Sequence, residues 1–510
     1  MKQFFPFLIV AVLITLPWFL HPGYLLLLDW TGIPHPHISL DPTGGIAGTP
    51  IQIAWTMLST VIESSFAQKI LVLAMLMLAG GATYRLTYFL LSNKLASIIA
   101  GIFMVTNAFV FNRLQMGHIY LLYAYALTPY AIYLVLCFLQ QPSSKKALQA
   151  GIGCSAVILL SIHHTILLPI LIILFAWHTQ KIQHYSRTQY IALLGPYIAT
   201  LLAILAVAYI NPASQLATIS LKDIAVFAPR AQCTPQLATD TVFLSSQWRN
   251  PHAVSLPCSN KIIFYASNIF LLGVMLIGAW NNKKLFIGAI ILVLLTDIPF
   301  IPAMRDSAKY LADLALIEAA LLAYGIVHLQ KKYGSVSSIL ILLCTLLAGS
   351  SIYWGLSNTI TPKIYPQSWY AFNQTLAKLP EKPRVLFLPW HLYMPFDFTN
   401  QATIADPAKL FFTNGSIIQG DNLEMRQGDA FIVTESTSPE SQEINHALAQ
   451  ISTPDFSSSF LKMLKEQHIS YIALAHGSPE EALYKNTFKK LPYVSLLVDS
   501  PGLTIWQFGE

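Results

Sequence analysis

A chain of 510 residues, 55% hydrophobic and only 11% charged, with a mean hydropathy of +0.55, is excluded from the ordinary soluble class. Its repeated apolar runs of about 20 residues place it among multi-pass membrane proteins. The net charge of +6 lies largely in loops and tail, where it reports topology and gives no sign of a nucleic-acid partner.

The apolar runs predict spans near 4–20, 70–91, 95–111, 119–139, 147–162, 165–178, 190–210, 262–280, 285–301, 310–329 and 336–354, about eleven in all. The first is preceded by Lys2 and followed by the bulky LPWFLHPGY, with no small-residue cleavage site. It reads as a retained helix rather than a removed signal peptide. Lys94, the pair Lys145 and Lys146, then Lys181 and Arg187, Lys283 and Lys284, and Lys331 and Lys332 all fall with Lys2 on one side of the membrane. Cytoplasmic loops are enriched in such residues, so that side is cytoplasmic. The outer side then receives the loop 21–69, the turn 112–118, the loop 211–261, the turn 302–309 and everything after 355. Between Lys146 and Lys181 the chain has to cross and return. Each leg is about 23 Å long at 1.5 Å per residue, less than the roughly 30 Å hydrocarbon core. The tip, with His163 and His164, is expected below the outer surface, facing protein or a water-filled cavity, or satisfying helix ends.

Taken in order, the outer segments hold the polar outliers. The stretch LLLLDW, Leu25–Trp30, presents Asp29 at the mouth of the first span, and His35, His37 and Asp41 follow. From this loop alone a polar cap and a catalytic carboxylate read alike. Ile51–Phe66 has the apolar spacing of a helix lying in the interface plane. The turn 112–118 carries Arg113 and His118, which either line a site or hydrate a helix end. Tyr120, Tyr123, Tyr125 and Tyr130 follow as an aromatic belt. Cys233 and Cys258 are the cysteines outside the spans; on an oxidising face a disulfide is expected, two thiols being the alternative. The turn PAMRDSAK brings Arg305, Asp306 and Lys309 together, and Asp313 and Glu318 continue into the next span. Carboxylates inside a span tend to mark a site, and two cations at a membrane surface can hold a phosphate. The plainer reading makes Arg305 and Lys309 interfacial anchors and pairs Asp313 with Lys309, which leaves Glu318 unexplained.

After Trp354 the composition changes. Arg384–Leu388, Ala430–Thr434, Tyr471–Ala475, Val494–Val498 and Thr504–Phe508 read as strands. Trp369–Leu379, Glu440–Ile451, Phe456–Gln467 and Glu480–Leu491 read as helices, the last two capped by Asp455 and Ser478. The expected organisation is an α-helical polytopic membrane domain, 1–355, followed by a soluble extracytoplasmic α/β domain, 356–510.

This pattern resembles the GT-C membrane glycosyltransferases: a carboxylate in a long first outer loop, an amphipathic helix in that loop, short buried spans mid-chain and an outer C-terminal domain. PGYLLLLDW, NRLQMGHIYLLYAYALTPY, MRDSAKYLADL, LFLPWHLYMPF and IIQGDNLEM further resemble a related group of prokaryotic multi-pass proteins. The resemblance implies a multi-pass plasma (inner) membrane protein with a cytoplasmic N-terminus. It implies transfer of a sugar from a polyprenyl-phosphate-linked donor to a glycan, lipid or protein acceptor on the outer face. It gives Asp29, with Asp41 as the next acid, the part of general base or metal ligand. A divalent ion such as Mg or Mn would then draw on Asp29, His35, His37 and Asp41. Many members carry adjacent acids where this chain has Asp29 followed by Trp30. Arg305 and Lys309 would bind the donor phosphate, with Arg113, His118, His163, His164, Asp313 and Glu318 lining the cavity. The alternative class is a transporter of lipid-linked glycans or an assembly scaffold.

Overall fold

The computed structural model describes residues 3–38, 48–179, 185–210, 224, 226–248, 256–298, 306–427, 430–434, 436 and 438–509. Asp41 and Arg305 lie outside them. The chain divides into two compact units: Met1–Leu20 with Ile38–Trp55 and Lys69–Thr361, and His21–His37 with Thr56–Gln68 and Pro362–Glu510.

The first unit is helical. Among the described residues six helices are long and apolar enough to cross a membrane: Ser64–Leu91, Lys94–Met116, Ile119–Gln140, Arg187–Val207, Lys261–Trp280 and Ser307–Tyr333. The pair Ser335–Ala348 and Ser350–Ser357, bent by 51°, makes a seventh if counted as one span. The figure of eleven does not emerge, because Phe5–Leu20, Ser144–Leu160, His164–Thr179 and Lys283–Asp297 have only 15 to 17 residues. Such helices are roughly 23–26 Å long, short of the roughly 30 Å core. The expected interface helix is also shorter than read: it covers Thr49–Ser59, and Ser64–Phe66 already belong to the long helix Ser64–Leu91.

Leu311–Tyr333 is the axis of this unit, with every residue from Leu311 to Ala323 buried. A helix apolar all round is a core helix. It meets Lys261–Trp280 at two glycines. A Cβ on Gly278 would lie 2.0 Å from the Leu321 carbonyl oxygen, and one on Gly325 2.0 Å from that of Val274. Small residues let the two backbones touch, and packing in place of hydrophobic drive then holds them. Arg187–Ile210 is the opposite case: Ile191, Leu194, Ile198, Leu202 and Leu205 are exposed, as on a helix that faces lipid.

The second unit is built on a five-stranded sheet of order β4-β1-β7-β9-β8: β1 Arg384–Leu388, β4 Ser416–Ile418, β7 Ile469–Ala475, β8 Val494–Ser500 and β9 Leu503–Phe508. β1 runs parallel to β4 and β7; β9 is antiparallel to β7 and β8. Two antiparallel pairs flank it, β2 Tyr393–Pro395 with β3 Thr403–Ala405, and β5 Leu423–Gln427 with β6 Ala430–Thr434. Side chains alternate across a strand, so Val385 and Phe387 enter one core with Trp369, Phe396 and Phe412, while Leu386 and Leu388 enter the other with Ile444, Phe460 and Phe488. Burial on both faces explains why β1 reads as an unbroken apolar run. The last helix, Glu481–Phe488, is capped at Glu480, so Ser478 stands two residues before its cap; Asp455 does hold the cap position of Phe456–Glu466, without a side-chain bond.

In the first unit Cys233 and Cys258 form a disulfide, 25 residues apart in sequence. Asp240 organises the loop between them by accepting from the backbone N–H groups of Gln232, Cys233 (2.7 Å) and Thr234 (2.8 Å). Closing a loop of this length removes about 3 kcal/mol of unfolded-state entropy. Replacing both cysteines by serine should therefore lower the melting temperature of the purified protein, and reductant should do the same to the wild type alone.

Candidate functional site

The polar residues of the first unit gather at three turns. The helix Lys94–Thr106 stops at Asn107, whose side chain caps Ala108–Met116 by accepting from Val110 N (3.1 Å), and Gly117 at φ +74° ends that short helix. This break delivers Arg113, only 1% exposed, to the turn before Leu311–Tyr333. There its guanidinium meets Asp306 through two bonds of 2.7 and 3.2 Å, and Nη1 also lies 3.0 Å from His118 Nδ1. The planar fork suits a carboxylate held in this way. Lys309 Nζ donates to His163 Nε2 at 2.7 Å, which ties the tip between Ser144–Leu160 and His164–Thr179 to the same group. Lys309 also meets Asp306 through its backbone N–H, which donates to the Asp306 carbonyl oxygen at 3.1 Å.

Lys309 does not bond Asp313, as the plainer sequence reading had it. Both Asp313 oxygens are buried without a hydrogen-bond partner among the described residues, as are both His164 ring nitrogens. Glu318 lines a cavity of about 20 Å³ with Thr106, Asn107, Asn268 and Thr345, room for a water-sized molecule and too small for a sugar. The cavity-lining residues therefore separate: Arg113, His118, His163 and Lys309 form one connected group, whereas Glu318 lies on that small cavity and Asp313 and His164 have no bond to the group.

In the second unit Leu25–Gly32 is a tight hairpin with Asp29 in its turn. Leu26 pairs with Thr31, Leu27 N donates to Trp30 O (3.1 Å) and Gly32 N to Leu25 O (3.1 Å). The Gln68 amide bonds both backbone groups of Leu25 at 2.9 Å, as a neighbouring strand would. Tyr24 and Lys363 exchange backbone bonds of 2.7 and 2.9 Å, and Tyr365 OH donates to Gly32 O (2.7 Å). The tip is held by β2 and β3. Tyr393 and Ala405 are register partners there, and Ala405 N donates to Leu28 O (2.7 Å) while Tyr393 OH donates to Asp29 Oδ1 (2.9 Å). Asp29 itself is exposed.

His35 and His37 are exposed, and His37 Nδ1 lies 3.3 Å from the His35 carbonyl oxygen. Among the described residues no three His, Cys, Asp or Glu side chains are disposed to hold a metal. Asp29, His35 and His37 do not make a ligand set by themselves, and Asp41, the fourth member of the expected set, lies outside the described residues. The sequence does not single out Tyr393, and it singles out Asp306 without its bond to Arg113. These bonds link positions 364 and 193 residues apart, and no local spacing announces them.

The sequence matches no protein-family model and no curated protein. Solved structures do match. The arabinofuranosyltransferase AftD from Mycobacteria superposes with a TM-score of 0.63 at 13% identity, over 100% of this chain and 40% of that one. ArnT from Cupriavidus metallidurans in the apo state gives 0.51 at 11% identity, over 98% of this chain and 96% of that one. This chain thus spans two fifths of the AftD length and nearly all of ArnT. At these identities the likeness is one of fold alone.

Truncating one partner of a buried ion pair leaves the other charge uncompensated, at about 3–5 kcal/mol, while replacing both by apolar groups is often nearly neutral. Arg113→Met should markedly lower the unfolding midpoint in detergent. Arg113→Met with Asp306→Leu should recover most of the loss; additive losses would show that the pair is not a unit.

Proposed function

We propose that this chain, with the fold of the GT-C membrane glycosyltransferases, moves a sugar from a polyprenyl-phosphate-linked donor to a glycan, lipid or protein acceptor. The reaction takes place on the outer face of the plasma (inner) membrane, with the N-terminus cytoplasmic. The observation that carries this reading is Asp29, an exposed carboxylate fixed at the tip of a hairpin with one oxygen held by the Tyr393 hydroxyl. A base has to be accessible and oriented before its pKa matters. Asp29 takes the proton of an acceptor hydroxyl, and that oxygen attacks the anomeric carbon. The bond from this carbon to the phosphate oxygen breaks, and the lipid phosphate leaves with the electron pair.

Lys309 and Arg305 stabilise the leaving phosphate, where negative charge develops. Lys309 Nζ also donates to His163 Nε2. Arg113, engaged twice by Asp306, holds the turn rather than the ligand. The second reading is a transporter of lipid-linked glycans. It is favoured by the buried Asp313 carboxyl and His164 ring, since titratable groups inside a bundle are characteristic of transport pathways.

The two readings part on chemistry. Asp29→Asn keeps the shape and removes the base, so transfer from a radiolabelled polyprenyl-phosphate sugar should fall by about 10²–10⁴ with donor binding retained. Lys309→Ala should weaken donor binding first, with Arg305→Ala acting in the same sense. Full transfer by a well-folded Asp29→Asn protein would remove the base assignment, and no transfer by the wild type would leave transport as the better reading.

A further inference from the structure

Of two segments singled out in the sequence, Leu386–Phe396 and Ile417–Met425, only Tyr393 has a part in the mechanism above. They meet at the carboxyl edge of the sheet, since β1 and β4 are parallel neighbours and both run into it. Gly420 permits the contact: a Cβ there would lie 2.4 Å from His391 N and 2.5 Å from the Trp390 carbonyl carbon. β7, parallel to β1 on its other side, ends on the same edge and continues to Ser478 and Glu480. The chain leaves β1 toward β4 and β7 toward β9, in opposite directions. In open α/β sheets a crevice opens at the carboxyl ends where connections diverge in this way.

His391 lies at the centre of this edge. Its Nδ1 is 2.8 Å from Glu424 Oε2 and its Nε2 3.8 Å from Glu480 Oε1. Asp406, only 5% exposed, adjoins it: Asp406 N donates to Leu392 O (2.9 Å), and its Oδ1 accepts from Ala408 N (2.9 Å). Asp406 Oδ2 is buried with no partner among the described residues, and the same holds for Asp421 Oδ1, Ser478 Oγ and Glu480 Oε2. Buried polar atoms are paired in the great majority of cases. Several uncommitted ones on one edge are groups whose partner comes from outside the chain.

The chemistry of the set narrows that partner. Burial pushes the Asp406 carboxyl up to about 8, so at neutral pH it is mostly a donor. Burial opposes charge on His391, but Glu424 and Glu480 outweigh it and raise its pKa. Glu480 and Asp421 offer acceptors, and the Ser478 hydroxyl serves both ways. A cation uses acceptors alone, and no three such side chains among the described residues converge to coordinate one. Hydroxyl groups each need a donor and an acceptor, and this edge supplies both. The edge also borders the Asp29 hairpin: Tyr393 stands two residues after His391, and Asp406 follows the Ala405 that bonds Leu28.

The geometry points to a saccharide-binding subsite at the carboxyl edge of the second unit, formed by His391, Asp406, Asp421, Ser478 and Glu480. Calling its ligand the acceptor sugar rests on the transferase reading; binding of a sugar does not. The test uses the full-length protein in nanodiscs, free of sugar-headed detergent. Methyl glycosides of mannose, galactose, glucose, N-acetylglucosamine and arabinofuranose are screened by saturation-transfer difference NMR. At least one should bind. Asp406→Ala, which removes the donor that Asn would keep, and Glu480→Gln should each weaken it by about tenfold, the loss of one charged or buried hydrogen bond. Ser478→Ala removes a hydroxyl with no described internal partner, so it should weaken binding with the melting temperature unchanged. Asp29→Asn should bind as the wild type does. The subsite is overturned if no glycoside binds, if binding is unchanged in all three variants, or if calcium alone raises the melting temperature through Asp406 and Glu480. If a sugar binds through these residues while Asp29→Asn keeps full transfer, the subsite stands and the base assignment falls. If Asp29→Asn abolishes transfer but no glycoside binds, the subsite alone falls.

Discussion

The second unit depends on a pairing between the start of the chain and its last third. Tyr24 with Lys363, Leu28 with Ala405 and Asp29 with Tyr393 are bonds between segments more than 330 residues apart. Closing so long a loop costs entropy that rises only logarithmically with length, and the later packing must offset it. Here Tyr24 sits in the aromatic core with Tyr365 and Trp369, so burial of its ring supports the backbone bonds. One consequence reaches function. His21–His37 is not a free connection between helices but a structural part of the α/β unit, and Asp29 takes its orientation from β2 and β3.

The first unit solves a different problem, that of keeping charge in an apolar bundle. Arg113 and Asp306 are both nearly inaccessible, and desolvating either alone would cost several kcal/mol. Two bonds from one guanidinium, with His118 beside it, make the pair tolerable; they do not make it a source of stability. Such a pair fixes registry, because the break at Asn107 must present Arg113 where the turn before Leu311 presents Asp306. Asp313 is the contrasting case, a buried carboxyl without that compensation among the described residues, and so the less easily explained as structure.

Much of this was legible in the sequence, and the exceptions share a cause. β1 and β6 have the bounds that their apolar and β-branched runs predict, and β7, β8 and β9 agree to within two residues. β2, β3 and β4 are three residues each, below the length at which alternation can be recognised, and β5, LEMRQ, alternates over only four residues and holds no β-branched or aromatic residue. The disulfide was legible because compartment and exclusion left one pairing. The candidate residues Asp29, Arg113, Asp306, His163 and Lys309 stood out as polar groups in apolar surroundings, but which of them bonds which did not. Tyr393 reads as one more aromatic in an apolar run, and its hydroxyl matters only after the chain has folded back on residues 25–32.

The charges of the two units suit the two halves of the proposed transfer. A lipid phosphate is anionic and gains charge at the leaving oxygen, so it calls for cations, and the group around Asp306 carries more of them than of acids. An acceptor hydroxyl is neutral and must lose a proton, so it calls for an oriented carboxylate and for mixed donors and acceptors. The second unit has the carboxylate at Asp29 and the mixture around His391. A transporter handles the same lipid-linked sugar intact and needs no base at its surface. The fixed orientation of an exposed Asp29 is the feature that such a protein would have no reason to build.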